Sequence, residues 1–287
     1  MPSSWRLIVS GIDHRRVRCH HLHAAMCLLL DSPEPFDSLS DPAATAPPAP
    51  AGHHATRKPW SVGPIQGDRR TVFLTVRTLS DQTTELLHDR AQVGCRVVLN
   101  RQEGVLVRPP QLLASAEWAD LARPTTASAW RLDFMSPTSL SSNSRYSPLI
   151  EPSSLIGSLL RRWRSLTDVW LPRLTPQELS ALWVSDIDGH TVVERVPHGR
   201  VDKVVPGFVG TVGLRADHPA VAAATDCMLR FAEFAGVGAL VTHGLGTVRL
   251  TPLAPTRTRP NRGHRNLLGS PSEPTDRTAQ PAAADAG

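Results

Sequence analysis

The sequence has one tyrosine, Tyr146, and two lysines, Lys58 and Lys203. A single tyrosine leaves little for the rows of rings on which sequence-tolerant single-strand binders stack their bases. The four cysteines, Cys19, Cys27, Cys95 and Cys227, lie far apart and form no CxxC pair. That spacing argues against a disulfide framework and against a cysteine zinc site. No apolar run approaches the roughly 18–20 residues needed to span a bilayer. Ala24–Leu30 is short and stops at Asp31. Arg15, Arg16 and Arg18 before it give a faint likeness to a secretory signal, but Ser32-Pro33-Glu34-Pro35 stands where a small-residue cleavage site would be. The chain is therefore expected to be cytoplasmic, with no membrane partner.

What is present is a chain of 287 residues, 40% hydrophobic and 20% charged, a composition that supports a packed core. The length fits one large domain or two small ones. The formal net charge of +5 is carried almost wholly by arginine. Guanidinium forks suit phosphate and nucleic acid, although the coding bias of a GC-rich genome would give the same composition.

Hydrophobic periodicity predicts strands at Trp5–Val9 and Arg70–Thr78, the latter with Val72, Leu74 and Val76 on one face. It predicts helices over Cys19–Leu30 and, capped by Ser80 or Asp81, as far as about Gln92. Strands at Cys95–Leu99 and Gly104–Val107, a helix over Ala114–Leu121 and a strand at Ala129–Phe134 follow. In the second half the pattern predicts helices over Pro152–Leu166 and Pro219–Ala235. Leu182–Val184, Thr191–Val196, Val201–Val205 and Phe208–Leu214 read as separate short strands divided by glycines, and Thr247–Leu250 as a last strand. The proline-rich stretch 32–56 reads as a loop, and the chain beyond Pro255 as a disordered tail. The first half thus contains the β-α-β-β-α-β order of a ferredoxin-like domain with one helix to spare.

The most specific local feature is the glycine-rich element Gly236-Val-Gly238-Ala-Leu-Val-Thr-His243-Gly244-Leu-Gly246 between a helix and a strand. Glycines there permit positive φ and close backbone approach, and a run of N–H groups in such a turn can cradle phosphate. The glycines follow a helix rather than precede one, which sets the element apart from dinucleotide-binding and P-loop patterns and weakens a nucleotide-binding reading. Together with Phe134-Met-Ser-Pro-Thr138 and Gly207-Phe-Val-Gly210, the run Phe231–Gly246 resembles, in order and spacing, the CRISPR-associated endoribonucleases that cut precursor CRISPR RNA at each repeat, members of the RAMP superfamily.

That resemblance implies an α+β fold of tandem ferredoxin-like (RAMP or RRM-like) domains. Here these are expected at residues 1–128 and 129–254, with a tail at 255–287. It implies metal-independent cleavage without a cofactor. The upstream 2′-hydroxyl attacks the phosphate and leaves a 2′,3′-cyclic phosphate and a 5′-hydroxyl. Such a reaction needs a base, an acid and a cation for the phosphorane. The family's histidine, a few residues before a Lys-Pro-aromatic element, matches His53 or His54 before Lys58-Pro59-Trp60. Histidine titrates near neutral pH, and Lys58 or Arg57 is expected to steady phosphate charge. Where some relatives carry a tyrosine on the first helix, this chain has Cys27 or a neighbour. His20, His21 and His23 on that helix read as a polar helix surface, with RNA contact or catalysis by one of them as the other reading. Arg57, Arg161, Arg162 and Arg164 are expected to grip the RNA backbone, and Gly236, Gly238, His243, Gly244 and Gly246 to touch it. The partner implied is CRISPR repeat RNA; the family also allows effector-complex proteins and a homodimer. The alternative is a RAMP subunit that holds guide RNA in an effector complex without cutting it.

Overall fold

The protein is described by a computed structural model over residues 1–31, 58–142, 145–198 and 201–253. His53, His54, Arg57 and the tail therefore lie outside the described residues.

In the first half the central strand is β1 (Ser3–Ser10), whose Trp5, Leu7 and Val9 point into the core while Arg6 is exposed. Helix α1 (Cys19–Leu30) has the bounds read from the sequence. Its first turn is held by His21, whose Nδ1 accepts the Arg18 backbone N–H at 3.0 Å. Leu22, Ala25, Met26, Leu29 and Leu30 are buried on it. Strands β2 (Trp60–Val62) and β3 (Gln66–Gly67) pair with β4 (Thr71–Thr78), and β4 runs antiparallel to β1 with Ser3 opposite Thr78. Ser80 Oγ accepts the Thr83 N–H at 3.2 Å and starts α2 (Asp81–Arg90). Strands β5 (Arg96–Leu99) and β6 (Gln102–Leu106) form a hairpin whose turn residues Asn100 and Arg101 both have positive φ, as tight two-residue hairpins require.

Ala114–Leu121 is not one helix. Gln111–Ser115 is strand β7, and the helix α3 holds only Trp118–Leu121. β7 pairs with β1, Ser115 opposite Ser3, so a partner more than a hundred residues away overrides the helical preference of Leu112-Leu113-Ala114. The sheet order is β2-β4-β1-β6-β5, with β7 joining β1 next to β6.

The second half comprises β8 (Ala129–Thr138), the small hairpin β9 (Leu140–Ser142) and β10 (Arg145–Ser147), α4 (Pro152–Arg164), α5 (Pro176–Leu179), β11 (Leu182–His198), β12 (Val201–Ala216), α6 (Pro219–Ala235) and β13 (Val248–Pro252). Its sheet order is β11-β12-β8-β13. With the inserted hairpins set aside, each half reads β-α-β-β-α-β with its first strand between its third and fourth. The architecture is α+β, with ferredoxin-like topology used twice. The separate short strands expected between Leu182 and Leu214 are in fact one long hairpin. Gly189 lies opposite Gly210 within it, and a Cβ on Gly189 would sit 2.4 Å from the Val209 carbonyl oxygen. These glycines mark close backbone approach rather than strand ends.

Each half has its own apolar core. In the second, Trp163 and Phe231 meet edge to face at 5.2 Å. Asp226, fully buried, accepts the Trp130 indole N–H at 3.1 Å, the Thr125 backbone N–H at 2.9 Å and the Arg230 Nε–H at 3.2 Å. Arg230 also donates to the carbonyls of Asp120, Leu121 and Arg123, fastening α3 and the strand entry to α6. Asp226→Ala strips the partner from a largely buried cation and two N–H groups. It is expected to cost about 3–5 kcal/mol, lowering the thermal midpoint by on the order of 10 °C in a melting experiment.

Candidate active site

The glycine-rich element joins the two halves of the protein. Gly236, Gly238, Gly244 and Gly246 all have positive φ, between 71° and 88°. The Val237 N–H donates to Gly246 O at 2.8 Å and closes the loop on itself. Ala239 N–H reaches Ser139 O at 2.8 Å, Gly246 N–H reaches Pro137 O at 3.1 Å, and Thr247 N–H reaches Ser136 Oγ at 2.9 Å. The Ser136-Pro137-Thr138 part of the sequence motif is thus the ledge that holds the loop. Gly244 presses on the first half, where a Cβ would meet Gly63 O at 3.1 Å and the Leu22 side chain at 3.2 Å. The N–H groups of Gly236 and Gly246 are spent inside the protein, on Ala232 O and Pro137 O.

The short 3-10 turn Val241–His243 carries His243 against α1. The His243 and His23 rings stack with centroids 4.0 Å apart and planes 8° apart, and His23 continues onto Trp60 at 5.8 Å. His23 Nε2 lies 3.5 Å from Cys27 Sγ, and Thr242 Oγ1 lies 3.2 Å from His243 Nδ1. Burial first, then the neighbouring His23 and His20, push His243 down to about 3. At neutral pH its ring is therefore uncharged, so any contact with phosphate is a hydrogen bond, not an ion pair. Burial, with Asp31 adding to it, pushes the Cys27 thiol up to about 12, which keeps it protonated and unreactive.

Lys58 forms the opposite wall. Its Nζ lies 2.5 Å from Asp31 Oδ2, with both side chains 5% exposed, and Asp31 Oδ1 accepts the Trp60 indole N–H at 3.1 Å. The Lys58 charge is therefore offset by a carboxylate. Arg90 donates to the carbonyls of Leu28 and Asp31 and secures the end of α1.

The arginines expected to act together on α4 separate. Arg161 is exposed at the cleft. Arg162 donates to Lys58 O at 3.2 Å and Trp60 O at 3.0 Å, so it staples α4 to the first half. Arg164 lines a different hollow. A cleft of about 460 Å³ is bounded by His23, Lys58, Arg161, Arg162, Gly238 and His243. The structure thus brings together, from four distant segments, most of the described residues singled out in the sequence. The sequence reading did not select His23 from its neighbours. Its place four residues before buried Cys27 and three before buried Met26 puts it at the margin of the apolar face, which was the available signal. Among the described residues no group of three or more His, Cys, Asp and Glu side chains is placed to hold a metal ion, and no helix is long and apolar enough to cross a membrane.

Two predictions follow from this geometry. A Cβ on Gly246 would meet Val237 O at 2.0 Å, whereas one on Gly94, also at positive φ, would meet nothing within 4 Å. Gly94→Ala is expected to cost about 1–2 kcal/mol from the left-handed backbone alone, and Gly246→Ala clearly more, as measured by chemical denaturation. His243, neutral when folded, binds fewer protons than in the unfolded chain between about pH 3 and its ordinary value near 6.5. Its contribution to stability is therefore complete above pH 6.5. Below that it falls by at most about 1.4 kcal/mol per pH unit. Denaturation measured from pH 7 to 4 should show this slope flattened in His243→Gln.

Comparison with known proteins agrees with the geometry. Residues 132–248 match the family described as CRISPR-associated endoribonuclease Cas6. A Cas6 in a product complex superposes with a TM-score of 0.64 at 22% identity, over 87% of this chain and 99% of that one. Thermus thermophilus Cas6 gives 0.58 at 22% identity, over 88% and 99%. A Cas6-related protein from Pyrococcus furiosus gives 0.51 at 12%, over 88% and 99%. A search of curated proteins gave no match.

Proposed function

We propose that this chain, whose residues 132–248 match the CRISPR-associated Cas6 family, is a Cas6-type enzyme that processes precursor CRISPR RNA by cutting it within the repeats. The observation that carries the reading is the cleft itself. Lys58, Arg161 and His243 come from separate segments and line one hollow, beside the glycine loop and His23 of α1, on which His243 stacks. The similar structures include Cas6 complexes with a product and with a substrate mimic, which supports repeat RNA as the partner.

In the proposed reaction the 2′-oxygen attacks the adjacent phosphorus and loses its proton to a base. The bond from phosphorus to the 5′-oxygen breaks, and that oxygen takes a proton from an acid. A 2′,3′-cyclic phosphate and a 5′-hydroxyl result, and no step calls for a metal or cofactor. We assign proton transfer to His53 or His54. Both ends of the segment that carries them, Asp31 and Lys58, are fixed at the cleft wall by their ion pair. His54 is four residues from Lys58, a reach of at most about 14 Å along the chain. Arg161, with Arg57, supplies positive charge for the phosphorane, Lys58 lines the wall beside them with its charge shared with Asp31, and His243 and the rim of the loop at Gly238 touch the RNA as neutral partners. The protein acts in the cytoplasm, and its two functional halves divide near residue 128.

The second reading, an RNA-holding subunit that does not cut, draws on the Asp31–Lys58 pair, because a lysine neutralised by a carboxylate also serves a purely structural wall. Incubation with a short repeat RNA in excess EDTA separates the two. A single cut ending in a cyclic phosphate is expected, and binding without any cut sinks the enzyme reading. Replacing both His53 and His54 by Ala should lower the cleavage rate at least about 100-fold while leaving RNA affinity within a few-fold. A double variant that cuts at the wild-type rate moves the proton-transfer role to His23.

A further inference from the structure

A second hollow, of about 250 Å³, opens where α4 ends, and it is lined by Trp163, Arg164, Thr167, Asp168, Trp170 and Arg173 among others. Resting on the RNA-processing reading above, we propose that this hollow binds an unpaired nucleotide flanking the cut site, its base stacked on Trp170 and its phosphates held by Arg164 and Arg173.

Trp170 is 77% exposed, the most exposed large apolar side chain among the described residues. Its loop is not loosely held. The buried Trp163 donates its indole N–H to Val169 O at 2.8 Å, Thr167 N–H donates to Trp163 O at 3.1 Å, and Leu171 is buried in the second core. The indole is thus presented outward from between two anchored neighbours. Arg164 and Arg173 are both exposed beside it, and Asp168 contributes one opposing charge. An indole face flanked by guanidinium groups is the chemistry that receives a splayed-out base and its phosphates.

Continuity with the cleft names the source of that nucleotide. Arg161, Arg162 and Ser165 line the cleft, while Trp163, Arg164 and Thr167 line the hollow. Successive pairs of residues at and just beyond the end of α4 thus face the two openings in turn, Arg161 and Arg162 the cleft, Trp163 and Arg164 the hollow, Ser165 and Leu166 the cleft again. A strand leaving the cleft meets Trp170 next.

The test uses the full chain and a repeat RNA whose attacking 2′-hydroxyl is replaced by hydrogen, so that it binds without being cut. One version carries unpaired flanks and the other is trimmed to the segment around the scissile phosphate. Trp170→Ala should weaken binding of the flanked RNA about tenfold and leave the trimmed RNA unchanged, with Trp170→Phe restoring most of the loss. Arg173→Gln should reduce the salt dependence of flanked-RNA binding by about one unit of slope. Unchanged affinity of Trp170→Ala for the flanked RNA overturns the proposal and leaves the indole to a protein partner. An equal loss on both RNAs overturns it as well. Wild-type protein that binds neither RNA sinks the processing reading, and with it this one.

Discussion

Everything near the cleft depends on a backbone that takes positive φ at five of eleven residues, four of them glycines and the fifth Leu240. Gly236 and Gly238 lead the chain off α6, and Gly244 and Gly246 lead it into β13. Between them the 3-10 turn is pushed out just far enough to set His243 on His23. The loop touches the β8 ledge on one side and Gly63 on the other without side chains intervening. A Cβ on Gly238 would meet Ser139 O at 2.3 Å and push the loop off its ledge, and one on Gly244 would press on Gly63 O at 3.1 Å, between the two halves. The glycines thus act chiefly by what they leave out, and the histidine stack, the Arg162 staple and the Ser61 Oγ donation to Phe234 O at 2.8 Å all presuppose that close approach.

The electrostatics of the cleft are quieter than the composition suggests. His243 is uncharged at neutral pH, Cys27 is a thiol rather than a thiolate, and Lys58 faces a carboxylate. Arg162 has its guanidinium on backbone carbonyls. Among the described residues, the basic character of the sequence therefore reaches the cleft mainly through exposed Arg161. On the proposed reading, that suits binding of a polyanion in a defined register over mere attraction.

Local pattern was enough where an element buries a regular face. α1 and α6 have the bounds read from periodicity, and Ser80 caps α2 as its chemistry requires. It failed where the deciding partner is distant. Nothing within Gln111–Ser115 announces that β1 has an open edge, and nothing local distinguishes Gly189 as a contact point from Gly189 as a strand break. The same division holds in the cleft. The glycine loop was legible because positive φ favours glycine, whereas the ledge beneath it was read only as a family mark, since two of its three contacts are backbone carbonyls. The separation of Arg161, Arg162 and Arg164 was not, since it follows from how α4 lies against Lys58 and Trp60.

The ion pair between Asp31 and Lys58 has one more consequence, in the variation it permits. It clasps the chain just before residue 32 and just after residue 57, so the fold on either side is indifferent to how long the excursion between them is. Once ends are clasped, doubling such an excursion adds only about 0.6 kcal/mol of closure entropy. Insertions or deletions ahead of His53 are therefore expected to leave α1, β2 and the wall between them as they are.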